Sequence, residues 1–510
     1  MQPSTRIIVN TLAQYGRTII NLILSLYSSR LVLNILGVND FGIYSLVAGV
    51  VSMLSFITNS LVGSTQRFLS VAQGKGDKEE LKSIFSNSVI VHLVLGLIVA
   101  LILEACTPLL FNGFLNIPNG RENAAASIYQ MVIIMVYTSF IASPYRALLV
   151  SRENIVYTSI IDVVDGILKV VLVFLLKFIG HDKLLAYGYV MLSISLFNLM
   201  AFTVYSHRKY EECIFPKIKL FTLNFIKRLF SYTGWVIYST LCITLRTQGL
   251  AVVLNRAMGT VVNAAYGIGS QISGMLSNVS TSFSNAISPQ LMAAEGRHDR
   301  QRMWLLAGLQ SKYSFLLLSM LGIPVLFEMP ALLKIWLGNV PEYAVLFGRM
   351  FLLMQIIDML TIGLGVANRA IGKIGLYTVV TFTPKLLILP VSWFLLRIGL
   401  PLFYVCLVMV MIEFLSMLLR IPLSLKEEGF NAADFSREVF LKTLPPVIVS
   451  TVVCVIIFLA FESCYRWIIT FAISIPIFML TTYKISLEER EQRFIQNIFH
   501  LVSNKHKKSL

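Results

Sequence analysis

The sequence predicts an all-α, polytopic membrane protein of about fourteen transmembrane helices with a parallel internal duplication. Three observations carry this. The 510 residues are 56% hydrophobic and only 13% charged, with mean hydropathy +0.76, whereas soluble domains carry about 25% charged residues. Apolar runs of about 20 residues, each able to cross ~30 Å of hydrocarbon as a helix, recur along the whole length. And the stretch 37–77 occurs a second time, 222 positions later, at 259–299.

The apolar runs place spans at 9–36, 42–71, 84–110, 125–148, 153–178, 184–206, 229–255, 261–292, 303–327, 344–367, 374–396, 400–424, 443–461 and 465–483. Strands are excluded as membrane-crossing elements, because barrel segments alternate polar and apolar residues and these do not. Glycine and proline punctuate the connections, as at Gly37, Gly74 and Gly76, Gly338 to Pro341, Gly399 and Pro445-Pro446. The N-terminal segment shows no small-residue cleavage site before the first span and is expected to be retained. The six cysteines (Cys106, Cys213, Cys242, Cys406, Cys454, Cys464) show no metal-ligand spacing and read as packing residues.

Net charge is +16. In a soluble chain this would suggest nucleic acid. Here the basic residues sort by side. With the N-terminus in the cytoplasm, 27 Lys and Arg fall in cytoplasmic connections and 8 in outer ones, and seven remain inside spans. This asymmetry supports the orientation and an even number of spans, with both termini cytoplasmic. The linker 208–228 is amphipathic, with Phe215 and Phe225 among Lys217, Lys219 and Lys227, and suits the cytoplasmic leaflet surface. The tail 484–510 is charged and carries no catalytic motif.

In the ungapped pairing of 37–77 with 259–299, ten of 41 positions are identical, including Gly37/Gly259, Tyr44/Tyr266, Ser60/Ser282, Gly74/Gly296 and Asp77/Asp299. Chance would give about two or three. The charge count sends both copies across the membrane in the same direction, so the repeat is parallel, a transporter signature.

Polar residues form stripes on four spans. The first carries Asn10, Gln14, Arg17, Asn21, Ser25 and Ser28 at helical spacing; the second carries Ser45, Ser52, Ser55 and Asn59. Span seven has Ser239, Cys242 and Arg246, and span eight has Ser270, Ser273, Ser277, Thr281, Ser284 and Ser288 with Gln271, Asn278 and Asn285 beside them. Small polar residues alone serve equally well to bring helices close. Arginines within spans point instead to a cavity or a partner. The intramembrane bases are Arg17, Arg30, Arg67, Lys169, Arg246, Lys312 and Lys385, of which Arg67 and Lys312 can also snorkel to the cytoplasmic interface. The intramembrane acids are Glu104, Asp162, Asp165, Asp358 and Glu413. Asp165 and Lys169, four apart, can neutralise each other. The surplus of base over acid suits an anion, and arginine suits phosphate through its planar fork of donors. Asn21, Asn59 and Asn278 would line the same path, and Asp358 or Glu413 could couple a proton or sodium.

The segments LNILGVNDFGIYSLVAG at 33–49, STQRFLS with GKGD at 64–77, SPYRALLVSRENI at 143–155, VNAAYGIGSQI at 262–272 and AISPQL at 286–291 resemble the polysaccharide transporter branch of the multidrug/oligosaccharidyl-lipid/polysaccharide exporter superfamily, the O-antigen and capsule flippases. The last two segments look like the form seen in Bacteroidetes capsule-locus proteins. The resemblance implies two six-helix bundles (1–207 and 229–424) around a central cavity, joined by the linker and followed by two extra helices (425–483). It implies alternating-access flipping of an undecaprenyl-pyrophosphate-linked oligosaccharide across the bacterial inner membrane, with Arg17, Arg30 and Arg246 as pyrophosphate candidates and Arg67 as a weaker one. Implied partners are the lipid-linked oligosaccharide, membrane lipids, a polysaccharide polymerase and chain-length proteins; a monomer is expected, with no cofactor, metal or nucleic acid. The alternatives are a cation-coupled multidrug exporter of the same fold, a passive scramblase, and an enzyme such as a polymerase or ligase. The last would need a sizeable outer loop with paired reactive groups, and the outer loops are short.

Overall fold

A computed structural model describes residues 3–109, 111, 120–178, 182–216, 222–462, 465–489 and 491–492. Within α1, the side chains of Arg30, Ser45, Ser52 and Ser55 lie outside the described set. So do His181, Cys464, part of the linker (217–221) and most of the tail.

The regular structure of the described residues is helical, with no strand among them. In chain order the helices are α1 (Pro3–Lys75), α2 (Lys78–Leu109), α3 (Glu122–Ser151), α4 (Ile155–Leu175), α5 (Lys183–Lys209), α6 (Leu223–Met258), α7 (Thr260–Gly296), α8 (Arg300–Leu337), α9 (Ala344–Met359), α10 (Ile362–Ile371), α11 (Ile374–Leu386), α12 (Ile388–Arg397), α13 (Leu402–Ser424), the short α14 (Ala432–Phe435), α15 (Lys442–Ala460) and α16 (Arg466–Thr481). Helix is the outcome hydrocarbon imposes, because it satisfies every backbone donor and acceptor within the segment.

Each predicted span falls on helix, with 344–367 divided between α9 and α10 and 374–396 between α11 and α12, and the edges differ by up to ten residues. α1 contains the first two spans as legs joined at Gly37, whose φ of 78° and ψ of 172° break the helix. Nine helices among the described residues are long and apolar enough to cross a membrane, or ten if the bent pair α9–α10 is one span. α1, α4 and α7 are not among them. α4 places Asp162, Asp165 and Lys169 within 21 residues, and α7 is rich in Ser and Asn.

The backbone repeats where the sequence repeats. Gly37 and Gly259 both take positive φ (78° and 86°), and 222 positions apart Gly76 and His298 do the same (78° and 59°). These four residues sit at the two ends of each repeated helix.

By compactness the described chain forms two units. One comprises Met1–Thr240, Asn285–Asp299 and Arg369–Ile374; the other comprises Leu241–Ser284, Arg300–Asn368 and Gly375–Leu510. In the first unit, one apolar cluster gathers Phe68, Leu69, Phe85, Tyr145 and Leu148, and another gathers Leu61, Leu103, Ile128, Tyr129 and Phe140. In the second, Tyr266 packs edge-on against Phe347 with centroids 5.3 Å apart and donates to the Thr247 carbonyl at 3.1 Å. Its counterpart Tyr44 meets Tyr187 edge-on at 4.6 Å. Within a bilayer such contacts act through dispersion and close fit rather than through exclusion of water.

Candidate functional site

Some of the intramembrane charges come together in threes, one such set being found in each unit. In the first unit, Arg17 on the first leg of α1 donates Nη1 to Asp162 Oδ2 at 2.8 Å. Arg146 on α3 donates Nη2 to the same oxygen at 2.9 Å. Asp162 is therefore shared by two guanidiniums, and the set carries a net charge of +1. Arg17 and Asp162 are 24% and 20% exposed and Arg146 41%. One turn further along α1, Asn21 lies against Gly166 of α4, and its Oδ1 is buried with no hydrogen-bond partner among the described residues. Asp165 does not turn to Lys169 for its hydrogen bond; its Oδ1 accepts from Asn198 Nδ2 at 2.5 Å.

In the second unit, Arg246 on α6 donates Nη1 to Glu413 Oε2 at 2.8 Å, and Lys385 on α11 donates Nζ to Oε1 at 2.5 Å. This set also has two cations on one carboxylate and a net charge of +1. It is deeper: Glu413 is 4% exposed and Lys385 5%. Seven residues on, along the same face of α13, Arg420 pairs with Asp358 at 2.5 Å. Its Nη1 also donates to the Asp358 carbonyl and to Thr361 Oγ1, both at 3.3 Å. Thus Arg420 satisfies the end of α9 where the chain bends by 50° into α10.

The acids expected to couple an ion, Asp358 and Glu413, are thus both engaged by bases. The polar stripes also differ from expectation. Asn10 donates to the Glu153 carbonyl at 2.9 Å, and Asn10 and Gln14 are buried. The exposed face of this leg is the apolar one, with Leu12, Ile19 and Ile23. The serines of α7 largely pack: Ser280 donates to the Ser314 carbonyl at 2.8 Å, and Ser284 meets Gln310 at 2.5 Å. The residues beside the stripe, Gln271, Asn278 and Asn285, are the exposed ones, and so is Asn59. A polar face adjoining carbonyls or amides on a neighbouring helix satisfies itself there, so spacing alone does not mark a wet face.

Neither Arg67 nor Lys312 snorkels. Arg67 is buried and donates Nε and Nη2 to the Ala370 carbonyl at 3.2 and 2.7 Å. Lys312 is 1% exposed and donates to Glu491 at 3.0 Å. Arg30, the third pyrophosphate candidate, lies outside the described side chains. The sequence reading missed Arg146 as a member of the first set, having assigned it to a cytoplasmic connection by its position near a span end. It also missed the clamp of Arg121 on Asp40 and Asp182, each at 2.5 Å.

Residues 5–295 match the profile of the family described as polysaccharide biosynthesis protein. The chain belongs to that family. A curated relative of the chain is the uncharacterized membrane protein EpsK of Bacillus subtilis (strain 168), 21% identical over 350 residues, or 68% of this chain and 67% of the relative. Solved structures share the fold. A multidrug resistance MATE family transporter of the MOP superfamily, in an outward-facing conformation, matches with a TM-score of 0.71 at 13% identity, over 84% of this chain and 96% of that one. A MATE protein in the bent conformation matches at 0.73 and 12%, over 84% and 95%. A MOP superfamily transporter from Pyrococcus furiosus, with a binding pocket of reverse polarity, matches at 0.70 and 13%, over 84% and 97%. The fold is that of the MATE and MOP transporters, and the protein is a multi-pass membrane protein.

Proposed function

We propose that this protein is a flippase that moves an undecaprenyl-pyrophosphate-linked oligosaccharide across the bacterial inner membrane by alternating access. The observation that carries the reading is the pair of net-cationic sets, each built around an arginine on the first helix of a repeat, Arg17 and Arg246. A cation beyond what its carboxylate neutralises is expensive within a membrane unless it meets an anion in use. Guanidinium offers a pyrophosphate paired donors, and each repeat carries one such arginine on its first helix. Membership of a polysaccharide biosynthesis family agrees with a lipid-linked sugar as cargo. Asn59 and Asn278, both exposed, would face the glycan. A cation-coupled drug exporter is less favoured, because Glu413 already carries two cations and Asp358 one.

The test exploits the sharing. Arg17→Ala leaves the Arg146–Asp162 pair, and Arg246→Ala leaves Lys385–Glu413, so each variant loses the surplus charge but strands no buried carboxylate. In a strain lacking the native gene, both variants are expected to reach the membrane at normal abundance and to restore less than a tenth of the surface polysaccharide made by wild type. Normal polysaccharide from both would refute the assignment.

A further inference from the structure

A second basic site lies at the end of the first unit that the charge count assigns to the cytoplasm. The start of α2, the α3–α4 turn and the end of α5 border a half-open cavity of about 250 Å³. Lys78, Lys82, Arg152, Lys209 and Tyr210 line it, with Glu211 and Glu212. Four cations face two carboxylates. Arg152 is held by Glu212 at 2.5 Å. Lys78 and Glu211 pair at 3.0 Å but are 75% and 78% exposed, and a pair so far out in water holds only weakly. Lys82 turns to Glu79 at 2.7 Å, another carboxylate that is mostly in water. Lys209 meets a neutral group, the Tyr205 hydroxyl, at 2.5 Å. Three ammonium groups are thus held weakly enough to be taken over by a stronger anion.

The repeat shows that this place has been treated differently in the two halves. A shift of 222 carries Lys78 to Arg300 and Lys82 to Trp304. In the second unit the Trp304 indole donates Nε1 to the Glu428 carbonyl at 3.1 Å and packs on Phe430, with ring centroids 4.8 Å apart. There an aromatic ring fills the space between the helix start and the turn that follows α13. In the first unit that position is a lysine and the space is open.

Its depth suits the membrane surface. Phe215, 76% exposed, stacks on His207 at 4.7 Å just beyond the end of α5. An exposed phenylalanine beside basic residues suits the headgroup boundary. We propose that this cavity binds an anionic phosphate group, with Lys78, Lys82 and Lys209 as its donors and Arg152 as the fixed wall. The group would come either from an anionic phospholipid of the facing leaflet or from a soluble phosphate compound. The site is separate from the intramembrane charge sets and does not depend on the transport reading.

Lys82→Trp copies the plug of the other repeat. Native mass spectrometry of the purified full chain in dodecyl maltoside, titrated with phosphatidylglycerol, is expected to show one tightly held lipid on wild type. Lys82→Trp should bind it at least tenfold more weakly, while phosphatidylcholine is bound equally by both. A second arm adds millimolar inorganic phosphate or glycerol 3-phosphate and reads the melting midpoint. If only this arm separates wild type from variant, the ligand is the soluble form. Should Lys82→Trp elute as aggregate, Lys78→Gln with Lys209→Gln takes its place, since it removes charge without adding volume. If neither phosphatidylglycerol nor phosphate distinguishes wild type from the folded variant, the site does not exist.

Discussion

At the scale of single residues the governing fact is that a buried charge tolerates company better than solitude. Glu413 holds Arg246 and Lys385 together at 2.8 and 2.5 Å. Glu413→Gln would leave two buried cations without a counter-charge. Breaking a buried pair costs about 3–5 kcal/mol, so the variant is expected to lose its monodisperse elution or to melt well below wild type. Arg246→Ala, which leaves a neutral pair, should melt within a few degrees of wild type. Equal melting of both variants would show that Glu413 does not hold the set together. A thiol offers a second check. Cys213 is buried in the turn after α5, and burial, with Glu212 adding to it, pushes its pKa up to about 12. Its thiolate population at pH 8 is then about a thousandfold below that of an ordinary cysteine, and reaction follows the thiolate. Peptide mapping after maleimide treatment is expected to find Cys213 unmodified in the folded protein and fully modified in SDS.

At the scale of helices, the ends of the repeated element carry the most definite expectations. Gly37 combines φ 78° with ψ 172°, a region open essentially to glycine alone, where other residues cost about 1–3 kcal/mol. A Cβ there would meet nothing within 4 Å. Gly37→Ala therefore reports backbone strain without a clash, and a melting midpoint unchanged from wild type would contradict the broken junction. His298 is the reverse case. It holds φ 59° where the first repeat has Gly76, so His298→Gly should be neutral or stabilising by up to about 1 kcal/mol. Gly74 and Gly296, equivalent in the repeat, are also neighbours: a Cβ on Gly74 would collide with the Ala293 carbonyl, and one on Gly296 with the Val71 carbonyl. Their identity across 222 positions was visible in the sequence, and glycine marks three of the four positive-φ ends, whereas His298 carries no such mark. The helices themselves were equally legible from apolar runs. Which polar face meets which neighbour was not. Arg17 finds Asp162 across 145 residues and Arg246 finds Glu413 across 167, and no local periodicity encodes a partner that far away. The serines of α7 misled for the same reason: hydroxyl spacing is the same whether the face meets water or the carbonyls of α8.

At the scale of the molecule, the duplication is followed by an addition that the two halves do not share. On α2 the face through Val94, Leu97 and Leu101 is about half exposed, as a face toward lipid should be. A shift of 222 carries Val94 to Leu316 and Leu101 to Ile323 on α8, and these are 3% and 4% exposed. The difference is α15 and α16, whose Cys454 and Phe478 pack against Leu316 and Ile323. Polar ties hold this hairpin at both ends. On one side, Arg466 donates to both oxygens of Glu328 at 2.9 and 3.3 Å, joined by the Thr470 hydroxyl at 2.9 Å. On the other, Glu491 reaches Lys312 at 3.0 Å and Tyr313 at 2.8 Å. Apolar contact alone does little to hold helices together where lipid is as apolar as leucine, so these ties should dominate. Arg466→Ala strands the carboxylate of Glu328, which is 1% exposed, and should cost about 3–5 kcal/mol. Hydrogen exchange is then expected to rise across 442–486 well before the rest of the second unit responds. Glu328→Gln combined with Arg466→Gln removes the charge from both sides and should recover most of the lost protection, because a neutral amide pair needs no counter-ion. If Arg466→Ala exchanges like wild type, the hairpin is held by packing alone. If the double variant is no better than the single, the tie acts through the shape of the guanidinium rather than through charge.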